Sequence, residues 1–339
     1  VVREIQPAVG FVLNEKAYQI TIKEDGDVVE IKLENRYIRG DIEGLKLDED
    51  GNVIAGAKFG LFKPGTTEFT EETAVLVTES DSEGKFRFED IRFGKWIVRE
   101  LVPATGYVLN ETPIEVNIQT EGEIINISFE NKFIRSDIKG YKVDEDGKPV
   151  EGALFGLFTE TDTEFTEENA VLTAKSDADG IFLFDDIRFG KWIVKELAPA
   201  EGFVANDTVF PIDVTTDGAV IEINAENRHI YGMVHTTKVD KDYPDNLLAG
   251  AIFEIYMDVD GNKEFNADVD TLVGEMVEYE PGLYELENLR YGGYFLYEKQ
   301  APANYVKDDA YHYFAIVNDG EMVEVENEAG IGFINNHMV

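Results

Sequence analysis

The sequence has no cysteine among its 339 residues. This absence excludes disulfide bonds, thiolate metal sites and cysteine nucleophiles together. Long apolar runs are also missing, since no stretch approaches the roughly 20 residues that a membrane-spanning helix needs. An extracellular protein of this composition therefore has to be made resistant by something other than disulfide bonds.

Basic residues are scarce, because 30 Lys and Arg stand against 69 Asp and Glu, which gives a formal net charge of −39. Nucleic acids and anionic lipid surfaces repel such a polyanion, so we expect neither a nucleic-acid partner nor membrane insertion. The 43% of hydrophobic and 12% of aromatic residues are sufficient for buried cores, so a folded chain is expected.

The chain is built from internal repeats. Residues 41–136 and 137–232 align without a gap, and the run Asp90–Val98 recurs almost unchanged at Asp186–Val194. A diverged copy follows from about Gly232. The start of the chain matches the back part of a repeat, so we expect a piece of a longer array. The predicted domains are a truncated repeat, 1–38, and three full repeats, 39–134, 135–230 and 231–339.

Each repeat has the pattern of short strands separated by turns. Residues alternate between apolar and polar in Lys85–Phe88 and Ile124–Phe129, and turn pairs such as Asp50-Gly51 recur. These features predict an all-β fold of tandem antiparallel β-sandwiches with an immunoglobulin-like architecture. The short connections between copies predict a fairly stiff rod.

Polar side chains recur on strand faces that are otherwise apolar. Alternate residues of a strand share a face, so Glu100 lies with Val98, and Asn131 lies with Phe129. By the same reasoning Lys46 points inward. Each full repeat has such a set, at identical spacings in the first two repeats and at longer ones in the third: Lys46, Glu100 and Asn131; Lys142, Glu196 and Asn227; Lys238, Glu298 and Asn335.

Two positions vary this pattern. The truncated copy contains Glu4 and Asn35 but no partner lysine, so it is not expected to cross-link. In the third repeat, Asn327 also follows the apolar parity and is an alternative to Asn335.

An inward Lys, Glu and Asn that lie close together can react with one another. Burial lowers the pKa of an amine and raises that of a carboxyl group, so the lysine becomes a nucleophile and the acid a proton relay. Attack of the amine on the asparagine carboxamide expels ammonia and leaves a covalent amide. Such a self-reaction happens once, so we expect no enzyme acting on external substrates. The alternative interpretation is a cross-strand ion pair beside an asparagine turn.

At these residues the sequence resembles the SpaA-type and Cna B-type repeat domains of Gram-positive surface adhesins and pilins. The matching motifs are Lys46-Leu47-Asp48 on the first strand, Val98–Tyr107 around the acid and Phe129-Glu130-Asn131 on the last strand. The resemblance covers essentially the whole chain. It implies a prealbumin-like β-sandwich and isopeptide bonds between each lysine and asparagine above, assisted by the glutamate: Lys46–Asn131, Lys142–Asn227 and Lys238–Asn335.

These inferences predict a structural stalk segment on the surface of a Gram-positive cell, with its anchoring signal outside this sequence. The expected partners are neighbouring repeats, and a host matrix protein or glycan bound through another domain. The alternative function is that the repeats themselves bind such a host ligand, which requires an exposed aromatic or apolar patch.

One loop of the third repeat resembles the start of a calcium-binding loop, because oxygen-bearing side chains alternate along it. These side chains are Asp258, Asp260, Asn262 and Glu264. Lys263 and Val269 depart from the usual pattern, and Asp268 and Asp270 can complete a different cage. Calcium is the one cofactor suggested, and none is required. The alternative is an acidic surface loop.

Overall fold

The structure is a computed structural model and describes residues 1–326 and 333–337. Over these residues the regular elements are all β-strands, which confirms the predicted fold class of tandem β-sandwiches. The same residues include no helix long and apolar enough to cross a membrane.

The first full repeat consists of seven strands in two sheets. The strands are β1 (Arg39–Asp48), β2 (Lys58–Phe62), β3 (Leu76–Glu79), β4 (Lys85–Arg92), β5 (Gly94–Val102), β6 (Ile114–Ile118) and β7 (Ile124–Asn131). One sheet has the order β4-β1-β7 and the other the order β3-β2-β5-β6.

The second repeat has the same topology. Its strands are β8 (Arg135–Asp144), β9 (Leu154–Thr159), β10 (Leu172–Lys175), β11 (Ile181–Arg188), β12 (Gly190–Ala198), β13 (Val209–Val214) and β14 (Ala219–Asn227). The sheet orders are β11-β8-β14 and β10-β9-β12-β13.

The third repeat keeps this plan with additional short strands. They are β15 (Tyr231–Asp240), β16 (Ile252–Met257), β17 (Thr271–Glu275), β18 (Val277–Glu280), β19 (Leu283–Arg290), β20 (Gly292–Gln300), β21 (Tyr305–Val306), β22 (Tyr311–Ile316), β23 (Met322–Glu324) and β24 (Phe333–His337). One sheet has the order β18-β19-β15-β24-β21, with β23 also paired to β15, and the other has the order β17-β16-β20-β22.

The first and last strands of a repeat are direct neighbours. In the first repeat β1 and β7 pair in parallel, with Lys46 opposite Phe129 and Asp48 opposite Asn131. In the third repeat β15 and β24 also pair in parallel, with Asp240 opposite Asn335. A parallel pair needs a long crossover connection, which the remaining strands of the sandwich supply. The pairings of β1 with β4, β2 with β5, β5 with β6 and β15 with β19 are antiparallel, whereas β15 and β23 pair in parallel.

Close aromatic packing against a glycine fills the core of the first two repeats. Phe59 and Phe86 stack with ring centroids 3.8 Å apart. A Cβ on Gly44 of β1 would lie 2.0 Å from the Phe86 ring, so the ring occupies the space of the missing side chain. The second repeat repeats this arrangement, since a Cβ on Gly140 would lie 1.9 Å from the Phe182 ring. The glycine on the first strand therefore leaves room for an aromatic ring directly over that strand.

The third repeat fills the same space with different residues. Thr236 replaces the glycine, and Tyr284 lies where the first two repeats have phenylalanine. The Tyr284 hydroxyl accepts a hydrogen bond from the backbone N–H of Ala251 at 2.9 Å. In the other repeats the hydroxyls of Ser80 and Ser176 accept the equivalent bond, each at 3.0 Å. The alanine N–H thus has a hydroxyl acceptor in every repeat. The acceptor is a serine that follows β3 or β10 in the first two repeats, and Tyr284 on β19 in the third.

The leading segment, residues 1–38, has isolated bridges instead of the extended ladders of the full repeats. Val2 bridges Tyr18, and Phe11 bridges Tyr37. The rings of Phe11 and Tyr37 also stack at a centroid distance of 4.5 Å.

The chain divides into two compact units. The first comprises Val1–Asp137, Asp186–Gly190 and Asp213–Ala219, and the second comprises Ile138–Asp185, Lys191–Ile212 and Val220–Val339.

Within each unit, an ion pair joins the turn after the first strand of one repeat to the following repeat. In the first unit Arg188 donates to Asp50 at 2.8 Å, and its guanidinium lies 4.4 Å from the ring centroid of Phe133. In the second unit Arg290 donates to Asp146 at 3.0 Å. These side chains are half exposed, so each ion pair contributes up to about 1 kcal/mol to stability. Its main effect is to hold the turn of one repeat against the following repeat.

Candidate functional site

The three predicted lysines lie on the inner face of the first strand of their repeats. Lys46, Lys142 and Lys238 are each 0% exposed. In the first two repeats the amine donates to a carbonyl of its own strand at 3.1 Å. It also approaches a carbonyl of the last strand, that of Phe129 at 3.5 Å or Ala225 at 3.4 Å. The amines therefore lie between the first and last strands.

The three predicted glutamates face these lysines from the opposite sheet. Glu100, Glu196 and Glu298 are buried on β5, β12 and β20. Lys46 Nζ lies 3.9 Å from Glu100 Oε1, and Lys238 Nζ lies 3.1 Å from Glu298 Oε1. The shorter separation is that of an ion pair, although its angles fall outside those of a hydrogen bond.

The three predicted asparagines complete the clusters at the end of the last strand. Asn131, Asn227 and Asn335 are buried, and each donates its side-chain Nδ2–H to the glutamate of its own repeat, at 2.9, 2.9 and 3.1 Å. Asn335 Nδ2 also makes a short contact with the Val306 carbonyl. In all three, the side-chain Oδ1 has no hydrogen-bond partner among the described residues. A buried carbonyl without a partner carries a desolvation cost of about 1–3 kcal/mol.

A loop amide that sequence reasoning missed holds each glutamate in place. The backbone N–H groups of Asn110, Asn206 and Asp308 donate to the glutamate Oε2 at 2.8, 2.7 and 2.8 Å. Asn110 Nδ2 also donates to the Glu130 carbonyl at 2.9 Å, which ties the loop to the last strand. The signal was in the sequence, because Asn14, Asn110 and Asn206 each follow their glutamate by ten residues.

Burial changes the acid–base properties of these clusters. It lowers the pKa of Lys46 to about 8, while the charge of Glu100 partly opposes that change. Burial also lowers the pKa of Lys142 and of Lys238, again against the attraction of the facing glutamate. The pKa of Glu100 is raised, and burial is again the largest cause. Both shifts bring the charged pair closer in free energy to a neutral amine next to a protonated carboxyl group in the first repeat.

The leading segment retains the glutamate–asparagine contact. Asn35 Nδ2 donates to both carboxylate oxygens of Glu4 at 2.8 Å, and the Asn14 N–H donates to the same carboxylate at 2.7 Å. Glu4 and Asn35 are only half-buried, whereas their counterparts in the full repeats are buried. Among the described residues no lysine is paired with Glu4, so the cluster lacks its nucleophile. Asn327, the alternative acceptor in the third repeat, lies outside the described residues.

Two of the four residues predicted to bind calcium, Asp258 and Asp260, lie close together, and Asp270 joins them. Carboxylate oxygens of Asp258, Asp260 and Asp270 lie within 4.8 Å of one another. Asn262 Oδ1 instead accepts the backbone N–H of Glu264 at 2.6 Å, and the Glu264 carboxylate is not part of the cluster. The third carboxylate therefore comes from Asp270.

The chain matches the SpaA prealbumin-like fold domain three times in tandem, over residues 40–133, 136–229 and 232–329. Among curated proteins, none matches the chain. Its fold is similar to that of the Bacillus anthracis TIE protein, with a TM-score of 0.71 and 24% identity over 89% of this chain and 52% of that one. The chain thus spans about half the length of the TIE protein.

Two pilins are more distant in structure. The Streptococcal ancillary pilin gives a TM-score of 0.32 with 20% identity, over 88% of this chain and 99% of the pilin. BcpA, the major pilin subunit of Bacillus cereus, gives 0.40 with 16% identity, over 88% and 100%. The family match itself covers most of the chain in three successive copies. The chain belongs to the SpaA family of prealbumin-like domains.

Proposed function

We propose that the chain is a structural stalk segment of a Gram-positive cell-surface adhesin or pilin, in which a Lys–Asn isopeptide bond closes each full repeat. The supporting observation is the buried cluster in all three repeats, with a Lys on the first strand, an Asn on the last strand and a Glu facing them from the opposite sheet. The location outside the cell rests on the resemblance to surface adhesin and pilin domains. A cysteine-free chain with internal amide cross-links would be independent of the redox state of its surroundings.

The reaction in the second repeat begins with a proton transfer from the Lys142 ammonium to the Glu196 carboxylate. The neutral amine then attacks Cγ of Asn227, forming a C–N bond and a tetrahedral intermediate. Glu196 returns the proton to the departing amide nitrogen, the original Cγ–Nδ2 bond breaks, and the nitrogen leaves as ammonium with one of the two amine protons. Two side chains become one secondary amide, and the glutamate ends as it began.

The contacts favour this reaction over a permanent ion pair. A buried ion pair is worth little unless hydrogen bonds satisfy both groups, and the Lys46 amine is 3.9 Å from its glutamate. The glutamate is instead hydrogen-bonded to Asn131, the group that would lose ammonia. The carboxyl group is therefore positioned to deliver a proton to the leaving nitrogen.

Intact mass of the denatured protein tests the proposal. We expect the chain to be lighter than its sequence mass by three molecules of ammonia, one for each full repeat. The full unmodified mass would refute cross-linking. Glu4 and Asn35 serve as an internal control, since a peptide spanning them should keep its sequence mass.

Variants assign each bond to its residues. Lys142→Ala and Glu196→Ala should each restore one ammonia, after correction for the substitution. The control Lys195→Ala removes an amine that directly precedes Glu196 in sequence but lies on the opposite face of β12, next to Asp207. This variant should still lose three molecules. Peptide mapping of the third repeat should find Lys238 joined to Asn335, and a link to Asn327 would reject that assignment.

A further inference from the structure

The loop between β16 and β17 in the third repeat differs from its counterparts. In each repeat this loop begins at an aromatic ring that contacts a phenylalanine farther along, and these contacts align the three loops. The pairs are Phe62–Phe69, Phe158–Phe165 and Tyr256–Phe265, with centroids 4.9, 5.0 and 5.2 Å apart. The third loop is two residues longer between the rings and carries Asp258 and Asp260 there.

Asp270 replaces an alanine of the other two repeats. Its backbone N–H donates to the carbonyl four residues earlier at 2.8 Å, as the N–H groups of Ala74 and Ala170 do at 3.1 Å. The Asp270 side chain is only 7% exposed. Its oxygens accept the backbone N–H groups of Val259 at 3.0 Å and Asn266 at 2.7 Å, which hold the carboxylate in place but leave its negative charge uncompensated.

Asp258 is the second buried carboxylate of this loop. It is 6% exposed, whereas its counterpart Glu160 in the second repeat is exposed. Asp258 Oδ2 accepts the Lys263 backbone N–H at 3.1 Å, but Oδ1 has no hydrogen-bond partner within the described part of the chain. A buried oxygen is thus left available at the point where the carboxylates converge.

The three carboxylates lack a cationic side chain. Among the described residues, no lysine or arginine forms an ion pair with Asp258, Asp260 or Asp270; Lys263 Nζ lies instead 5.4 Å from the ring centroid of Tyr313. The other acidic cluster of the chain is different, because its carboxylates already pair with His229 and Arg290. Within the described residues, only the loop of the third repeat combines convergent acidic oxygens with an unpaired buried one.

We propose that Asp258, Asp260 and Asp270 bind one Ca²⁺ ion. Ca²⁺ takes six to eight oxygen ligands at roughly 2.4 Å, so opposing ligands are about 4.8 Å apart. The observed oxygens lie within that span. Ca²⁺ also accepts an irregular, partly hydrated shell, whereas Mg²⁺ needs near-ideal octahedral geometry. Water completes the coordination on the exposed side of Asp260. This site is independent of the proposed cross-links.

Calorimetric titration of the chelator-treated full chain with CaCl₂, at about 0.15 M ionic strength to screen the surface charge, tests the site. We expect one saturable Ca²⁺ per chain, bound more tightly than Mg²⁺. Asp270→Ala introduces the residue of the other two repeats and should weaken binding at least tenfold. Glu160→Ala, the matched removal of a charge from the loop of the second repeat, should leave the affinity unchanged.

Circular dichroism checks that Asp270→Ala remains folded, and Asp260→Asn offers a second test at an exposed position. Binding to both variants with the affinity of the parent chain would overturn the site. So would unsaturable binding alone, which is the behaviour of counterions on a polyanion, or equal affinity for Mg²⁺.

Discussion

The charge on a single buried amine affects the stability of a repeat. Lys46 is 0% exposed, and burial lowers its pKa from 10.5 to about 8. Before any bond forms, keeping this amine protonated inside the fold costs free energy. The same burial makes the neutral amine accessible near physiological pH, so the cost to stability and the nucleophilicity have one cause.

This cost should appear as a pH dependence when Asn131→Ala leaves the amine unreacted. The folded-state pKa lies below the unfolded one, so the native state binds fewer protons between pH 8 and 10.5. The free energy of unfolding should therefore rise across this window, by about 3 kcal/mol in total. Below pH 8 the penalty is fully present and stability should not change through this residue.

Tryptophan fluorescence can isolate the first repeat, because the chain has only Trp96 and Trp192. With Trp192→Phe in the background, urea unfolding followed at Trp96 reports on the first repeat alone. Adding Lys46→Met removes the amine and should abolish the rise. Equal pH slopes with and without Lys46 would show that its pKa is not lowered.

Strand parity was sufficient to predict the inward residues, but not all of their partners. A polar residue on an apolar face is visible in a sequence, so Lys46, Glu100 and Asn131 could be identified. The contact from the Asn110 N–H was missed: the asparagine ten residues after each glutamate recurs in the sequence, but only the loop conformation directs its backbone N–H to Glu100. Asp270 in the calcium loop depends likewise on a turn that returns it to Asp258.

At the scale of elements, a glycine on the first strand lets an aromatic ring from the neighbouring strand of the same sheet lie over it. Gly140 on β8 allows the Phe182 ring to approach, while the third repeat uses Thr236 and a tyrosine. The first two repeats and the third thus fill the same part of the core with different residues. The periodicity of the sequence predicted the strands, but the parallel pairing of first and last strands arises from the crossover of the whole sandwich.

Gly140→Ala should destabilise the second repeat. The added methyl would lie 1.9 Å from the Phe182 ring, so the ring or the strand has to move. Overpacking of this kind costs about 1–3 kcal/mol. The unfolding transition at Trp192, measured in a Trp96→Phe background, should shift to lower urea concentration.

Gly274→Ala is the matched control in a strand. Its added Cβ would meet only the Leu286 side chain, at 3.9 Å, which is an ordinary contact. The global thermal transitions of this variant should match the parent. A second repeat unaffected by Gly140→Ala would mean that the ring has free space to move.

At the scale of the molecule, the proposed bonds determine how the chain responds to pulling. Tension enters each repeat at its first strand and leaves at its last, and Lys142 and Asn227 lie on those two strands. A bond between them carries the load past the 85 residues that separate them. The parent chain should therefore extend very little within its repeats.

Single-molecule pulling on Glu196→Ala tests this expectation. Without its bond the second repeat should unfold under load and release about 290 Å of contour length, at roughly 3.4 Å per residue. The first and third repeats of the same molecule act as controls and should release no such length. Unfolding events of this full length in the parent chain would contradict the proposal that the bonds carry the pulling force.

The adjacency of the first and last strands has a consequence for damage as well. With Lys46 joined to Asn131, the residues between them form a covalent ring. A protease that cuts one exposed loop of that ring opens it, but the chain on either side remains connected through the amide. With the proposed bond in place, one proteolytic cut within the ring of a repeat would not separate the chain into two pieces.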